Sequence, residues 1–420
     1  MEQLKTFTPY QKWVIALIAL TQFSVILDFM VISPLGDMLM KEVGIVPKQF
    51  GLVVSAYAFS AGISGFLTAG FADRFDRKKL LLFFYSGFIV GTILCGLASN
   101  FHLLLIARII TGVFGGVIGS ISMAIITDLF SLNQRGRVMG FVQMGLGASQ
   151  VMGIPISLFL ANHWGWQSPF FMVAGLAIVV GFLFQLKIKP VDLHLELQKD
   201  RTALKHLWHT IAKKNHRIGF AATALLSIGG FMMMPFGSAF AINNLKITPA
   251  QLPLLFMVAG VGSLFFMPIL GKLSDKMDKY KLFTIASIYT MFIVVLYTNL
   301  STQPLWIVMM LNVLMMGGIL GRMVPSVALS TAIPEMADRG AFMSINTSVQ
   351  QIAGGIAATV AGFVVVQKTK YSPLEHYNTL GYIIVVISCI CLFLMYRVSR
   401  MVKAKSKTAK QETMKATNEI

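Results

Sequence analysis

The sequence predicts an all-α integral membrane protein of twelve transmembrane helices arranged as two pseudo-symmetric six-helix bundles. Three observations predict it: long apolar runs, basic residues gathered on alternate loops, and an internal repeat. The chain has 420 residues, of which 56% are hydrophobic and 12% charged. Soluble domains use about 25% charged residues. The composition therefore excludes an ordinary soluble enzyme, a disordered chain and a disulfide scaffold, since Cys95, Cys389 and Cys391 all lie inside apolar runs.

About 20 mainly apolar residues cross a ~30 Å hydrocarbon core as a helix. Such runs occur at 13–35, 49–72, 79–98, 101–126, 138–160 and 169–187, then at 218–242, 251–272, 281–299, 305–329, 341–366 and 378–395. The first run carries Asp28 and lacks a small-residue cleavage site, so it reads as a retained helix rather than a signal peptide. Alternate loops hold very different numbers of basic residues. One side has 28 of the 35 Lys and Arg, the other only Lys41, Lys48, Lys246, Lys368 and Lys370, and Arg108 and Arg322 lie within runs. Cytoplasmic loops carry the positive excess, so both termini are expected in the cytoplasm. The net charge of +18 thereby belongs to membrane orientation and not to nucleic-acid binding.

The polar stretch at 187–216 divides the chain into an N-terminal bundle (1–186), a cytoplasmic linker, a C-terminal bundle (217–398) and a basic, mobile tail (399–420). One half slides onto the other. Pro34-Leu35-Gly36 matches Pro235-Phe236-Gly237, Asp73-Arg74-Phe75-Asp76-Arg77 matches Asp275-Lys276-Met277-Asp278-Lys279, and Gly115-Gly116 matches Gly317-Gly318. Arg135-Gly136 likewise matches Arg339-Gly340. A duplicated six-helix unit puts a solute cavity between the halves near mid-membrane.

These residues resemble the major facilitator superfamily, and within it the twelve-helix drug:proton antiporters and sugar-efflux-like members, over nearly the whole chain. The loop Ala69-Gly70-Phe71-Ala72-Asp73-Arg74-Phe75-Asp76-Arg77-Lys78 is similar to the family's G-x-x-x-D-R-x-G-R-K element, with Ala69 and Asp76 in the places of its two glycines. The resemblance implies that Asp73 and Arg77 join Asp128 in a gating network that holds the cytoplasmic side closed. Lys78 and Lys79 need no role beyond orientation. The fourth run resembles the family's R-x-x-x-G element through Arg108 and Gly112. In the fifth run, Gly140, Gly145, Gly147, Gly153 and Pro155 resemble a glycine-proline element of the antiporters, and these small residues predict close packing on a partner helix.

Asp28 is the sole acid within any run. By helix rise it lies ~8 Å, and Arg108 ~9 Å, from the periplasmic edge, so the two share a depth. Their repeat counterparts are Gly229 and Met310, so the duplicated scaffold demands neither charge. Burial favours a neutral acid while a neighbouring guanidinium favours the carboxylate, which together make a switchable proton site. A structural ion pair is the competing account of the same two residues. Arg322 lies ~5 Å from the cytoplasmic edge and is expected to snorkel to it.

The resemblance implies that the first, fourth, seventh and tenth helices line the cavity. Gln22, Asn312, Met233 and Met310 are then candidate substrate contacts, although intramembrane amides also serve interhelical hydrogen bonds and methionines also serve packing. Four histidines in the linker show no metal-site spacing, and the linker reads as an amphipathic interfacial helix. No nucleotide-binding loop, metalloprotease motif or catalytic triad is present, so no enzyme, cofactor or metal site is expected. The expected function is secondary active transport by alternating access: proton-coupled efflux of a small organic solute across the bacterial inner membrane, by a monomer whose other partners are protons and the lipid bilayer. Import by symport or facilitation, and a transport-dead sensor, remain the alternatives.

Overall fold

The computed structural model describes residues 7–68, 72–192, 195, 203–335 and 338–418, with side chains for all of these except 73, 132, 133, 203–206 and 406–418. The first half comprises α1 (Pro9–Val31), α2 (Gly36–Glu42), α3 (Pro47–Thr68), α4 (Arg77–Leu97), α5 (Phe101–Leu129), α6 (Leu132–Ala148), α7 (Ile154–Trp164) and α8 (Ser168–Lys187). After the short α9 (Ala203–Ala212), the second half comprises α10 (Lys214–Phe231), α11 (Gly237–Asn243), α12 (Leu252–Lys276), α13 (Lys279–Thr298), α14 (Leu305–Thr331), α15 (Arg339–Val364) and α16 (Tyr377–Asn418). Among the described residues, eleven helical stretches are long and apolar enough to cross a membrane. The twelfth long helix is α15. Its run Arg339–Val364 is diluted by Asn346, Gln350 and Gln351, and its small residues Gly354, Ala357, Ala358, Ala361 and Gly362 are buried. With twelve crossings the two ends of the chain share one face, called here the termini face; the other is the distal face.

The duplication is visible in how helices break. The first and seventh crossings are each interrupted where the repeated Pro-x-Gly stands: α1 gives way to α2 across Pro34, and α10 to α11 across Pro235. Proline has no N–H for the helix ladder and clashes with the preceding turn. The first crossing thus continues to Glu42, beyond the expected end at Leu35. Between α6 and α7 a π-helical turn, Ser149–Gly153, precedes Pro155 and absorbs the same defect. The fifth crossing packs on α1 as its small residues predict, with Ser149 Oγ donating to Phe23 O at 3.3 Å.

The halves meet along α3 and α15. A Cβ on Gly51 would stand 2.7 Å from Ala358 O and 2.9 Å from Gly362 Cα, so the two backbones touch there. Further hydrogen bonds between the halves lie at mid-depth, where Ser263 Oγ donates to Gln150 Oε1 at 3.1 Å, or on the distal face. On the termini face the described ion pairs each stay within one half, as in Arg77–Asp128, Lys213–Asp338 and Lys403–Asp278.

The linker helix packs on the second half rather than lying on lipid alone: Leu207 is buried with Phe220 and Phe342, while Trp208 is exposed. The tail, expected to be mobile, continues α16 as helix to Asn418. Its start is tied down, since Lys403 Nζ lies 2.6 Å from Asp278 Oδ2 and Lys405 Nζ donates to Ile333 O and Pro334 O. The Lys403 ammonium, with help from backbone N–H groups of Lys281 and Tyr280, holds the Asp278 carboxyl below its ordinary value. The attachment is therefore fully present above the ordinary carboxylate range and is lost as pH falls through the lowered folded value. Hydrogen exchange in residues 399–405, corrected for intrinsic rate, is expected to stay level down to about pH 4 and rise below it. In Lys403→Gln it should be fast throughout; an unchanged profile in that variant would exclude this tether.

Candidate functional site

Four crossings converge on Asp28. The helix periodicity of α1 puts Leu17, Thr21, Ser24, Asp28 and Val31 on its buried side. Arg108 comes from α5, Thr92 from α4 and Tyr57 from α3. Asp28 and Arg108 are both 0% exposed. Arg108 Nη1 donates to Asp28 Oδ2 at 2.9 Å and approaches Asp28 O at 3.4 Å, and Thr92 Oγ1 donates to Asp28 Oδ1 at 3.1 Å. The guanidinium carbon sits 4.5 Å from the centre of the Tyr57 ring, a cation–π contact in a dry setting. Arg108 Nε and Nη2 have no hydrogen-bond partner in the structure.

The pair is thus single-pronged, with only one of the guanidinium's donating nitrogens engaged. A two-pronged Arg–carboxylate contact is the stronger and more rigid geometry. A buried pair is held by its own Coulomb attraction, and neutralising either partner leaves a costly lone charge. The next residue, Phe29, lines a small cavity between the halves with Ser33, Phe231, Met234 and Gln351. Phe29 and Phe231 meet across the interface, ring centres 6.1 Å apart.

The expected gating group is partly assembled. Arg77 Nε lies 3.3 Å from Asp128 Oδ2, linking the start of α4 to the end of α5 inside the first half. Asp73 falls in the turn Ala72–Arg74, and its side chain is outside the described residues. Asp76, which departs from the family pattern, caps α4 by accepting from Lys78 N at 2.8 Å, and also accepts from Val191 N at 3.2 Å. Its repeat counterpart Asp278 caps α13 in the same way, accepting from Lys281 N at 3.0 Å.

The four candidate substrate contacts do not form one cluster. Gln22 is half-buried and faces Gly119 of α5. Asn312 spends its amide inside the second half, on Val308 O at 2.9 Å and Tyr297 Oη at 3.4 Å. Met233 is buried in the apolar core, its carbonyl facing the Tyr377 hydroxyl at 3.5 Å. Met310 is 47% exposed, on the stripe of Trp306 one turn earlier. Arg322 does not snorkel: it is 4% exposed, 5.9 Å from the Phe283 ring centre and beside Cys391.

A cluster on the distal face was not expected. Asp37 on α2 and Asn243 on α11 are both 4% exposed, and Asn243 Nδ2 donates to Asp37 Oδ1 at 2.6 Å. Lys41 Nζ completes the group, 2.7 Å from Asp37 Oδ2 and 3.3 Å from Asn243 Oδ1. Ser238 Oγ donates to Ser33 O at 2.9 Å beside it. All of these bonds except Lys41–Asp37 cross between the halves. The repeated Pro-x-Gly was the available signal, because it marks both helix breaks that bring these side chains together.

Comparison with known proteins bears on this arrangement. An uncharacterized transporter of the major facilitator type from Bacillus subtilis, YbcL, is 24% identical over 91% of this chain and 96% of its own length. Another from the same organism, YceJ, is 26% identical over 60% of this chain, a match spanning 65% of the relative's length. A probable sugar efflux transporter from Helicobacter acinonychis is 23% identical over 60% of this chain and 63% of its own length. Among solved structures, a bacterial homolog of the human lysosomal transporter Spinster, inward-facing and unoccupied, superposes with a TM-score of 0.74 at 17% identity, covering 95% of this chain and 99% of that one. A D-xylose–proton symporter gives 0.74 at 17% identity, with 93% and 97% covered. The family model described as Major Facilitator Superfamily matches residues 18–332 and 219–418. With the helical duplication, that match establishes that the chain belongs to the major facilitator superfamily, transporters of small solutes by alternating access.

Proposed function

We propose that this transporter exports a small organic solute in exchange for protons, with Asp28 as the proton-carrying group and Arg108 as its switchable partner. The observation that carries the reading is the dry, single-pronged Asp28–Arg108 pair placed one residue from the interfacial cavity. A purely structural pair gains most from full pairing of both guanidinium edges, whereas this one keeps Arg108 Nε and Nη2 uncommitted. In this reading a proton arriving at Asp28 frees Arg108, and the free guanidinium biases the packing of α1 against α3 and α5. The sugar-efflux relatives support the outward direction. The excess of basic residues supports a termini face in the cytoplasm of a bacterial cell, with the distal face periplasmic.

Two contacts then serve as gates. The Asp37–Asn243 cluster closes the periplasmic side in the present conformation, and Arg77 with Asp128 braces the loop whose Asp73 belongs to the cytoplasmic gate. Purified protein in proteoliposomes, with a pH-sensitive dye inside, tests the reading against a panel of sugars, drugs and metabolites. The expected result is solute movement coupled to an opposite proton movement. Solute flux with no proton movement, or with protons moving in the same direction, would overturn antiport.

A further inference from the structure

In the second half, a guanidinium and a hydroxyl that are not the repeat counterparts of Arg108 and Thr92 gather around the position equivalent to Asp28. The repeat counterpart of Asp28 is Gly229, at an offset of 201 residues. A Cβ placed on Gly229 would stand 4.0 Å from Arg322 Nη2 and 4.0 Å from Ser388 Oγ. Among the described residues, Arg322 faces the Phe283 ring and the weakly accepting Cys391 thiol, and Arg322 Nε and Nη2 and Ser388 Oγ are buried without a hydrogen-bond partner. Arg322 is 4% and Ser388 0% exposed. In the first half, Asp28 takes one bond from a guanidinium nitrogen and one from the Thr92 hydroxyl. In the second half the same pair of donors, a guanidinium and a hydroxyl, converges on a position that has no side chain.

An unpaired guanidinium inside a membrane protein is costly, and buried donors without acceptors are rare. Carboxylate oxygens standing at the side-chain position of residue 229 would come within the ~2.8 Å of a charge-assisted bond. Gly230 adds no side chain there either, and Phe231, two residues on, lines the interfacial cavity. Gly229 and Arg322 lie on α10 and α14, the seventh and tenth crossings, which the family resemblance sets along the solute path.

We propose that Arg322 and Ser388 bind the carboxylate of the transported solute, which replaces at Gly229 the acid that the first half carries at position 28. The solute class is thereby a small organic acid. This proposal rests on the reading of the chain as a solute transporter, but binding needs neither proton coupling nor a known direction. A solute that binds as described while moving without protons would sink only the antiport reading; coupled transport of neutral solutes alone would sink only this one.

The test is a thermal-shift and equilibrium-binding series on the full-length purified protein, using acetate, lactate and benzoate against acetamide, lactamide and benzamide, with inorganic phosphate as a further probe. A carboxylate should stabilise the wild type where its amide and phosphate do not. Arg322→Gln should weaken that carboxylate at least about tenfold, the worth of one charged hydrogen bond, and Ser388→Ala should weaken it less. Gly229→Asp should melt higher than wild type without ligand, because it supplies the missing acid, and should no longer respond. Carboxylates and amides acting alike, phosphate acting as well as the carboxylates, no carboxylate acting, or an undiminished response in Ser388→Ala and Gly229→Asp would each overturn the proposal.

Discussion

Asp28→Asn is expected to abolish transport driven by a pH gradient. The substitution keeps the shape of the side chain and leaves an oxygen for the Thr92 hydroxyl, but it cannot carry a proton and removes the counter-charge of a guanidinium that is 0% exposed. Breaking one member of a buried pair typically costs about 3–5 kcal/mol, because the other charge is left alone. The variant should therefore also melt lower than wild type. Replacing both partners, as Asp28→Asn with Arg108→Gln, removes the stranded charge, so the double variant should recover much of the lost stability. It should recover none of the coupling. That split separates a proton carrier from a structural pair, for which restored stability would bring restored transport. Flux in proteoliposomes and melting of the three proteins in detergent are the two measurements. Wild-type flux under a pH gradient in Asp28→Asn would sink the assignment.

This site was legible in the sequence because an acid inside an apolar run has few places to go. Depth along the helix, at a fixed rise per residue, matched Asp28 to Arg108 across 80 residues. Depth says nothing about direction, and there the sequence misled. Arg322 lies close enough to one face to snorkel, yet α14 enters from the distal face, and side chains lean toward the N-terminus of their helix. That tilt aims the guanidinium into the bundle, toward Gly229, and away from the nearer water. Crossings were read well by length and hydropathy. Even α15, diluted by Asn346, Gln350 and Gln351, still reads as an apolar run over 341–366. Distal ends were read poorly: Asp37 lies two residues past the expected end of the first crossing, where a polar residue resembles ordinary loop. Only the packing of α2 on α11 shows that it is buried.

Asn243→Ala is expected to open the distal face. Asp37 keeps Lys41 as its partner within the first half, 2.7 Å away, so no acid is stranded. What is lost is the bond from Asn243 Nδ2 to Asp37 Oδ1 and the contact with Lys41, both of which cross between the halves. A hydrogen bond to a charged group contributes about 1.5–3 kcal/mol. Removing it from only one of two alternating conformations shifts their ratio by roughly 10- to 150-fold, since about 1.4 kcal/mol is a factor of ten. If the distal-closed form leads by less than that margin, the distal-open form becomes the major one. Spin labels at Val46 and Thr248, exposed positions on opposite halves of the distal face, report the distance between them in a cysteine-free background. The expected result is a second, longer distance in Asn243→Ala that wild type populates only weakly. Asp37→Asn, which keeps the geometry but loses the charge attracting Lys41, should give an intermediate distribution. An identical distance distribution in all three proteins would mean that the α3–α15 seam, not this cluster, keeps the distal face shut.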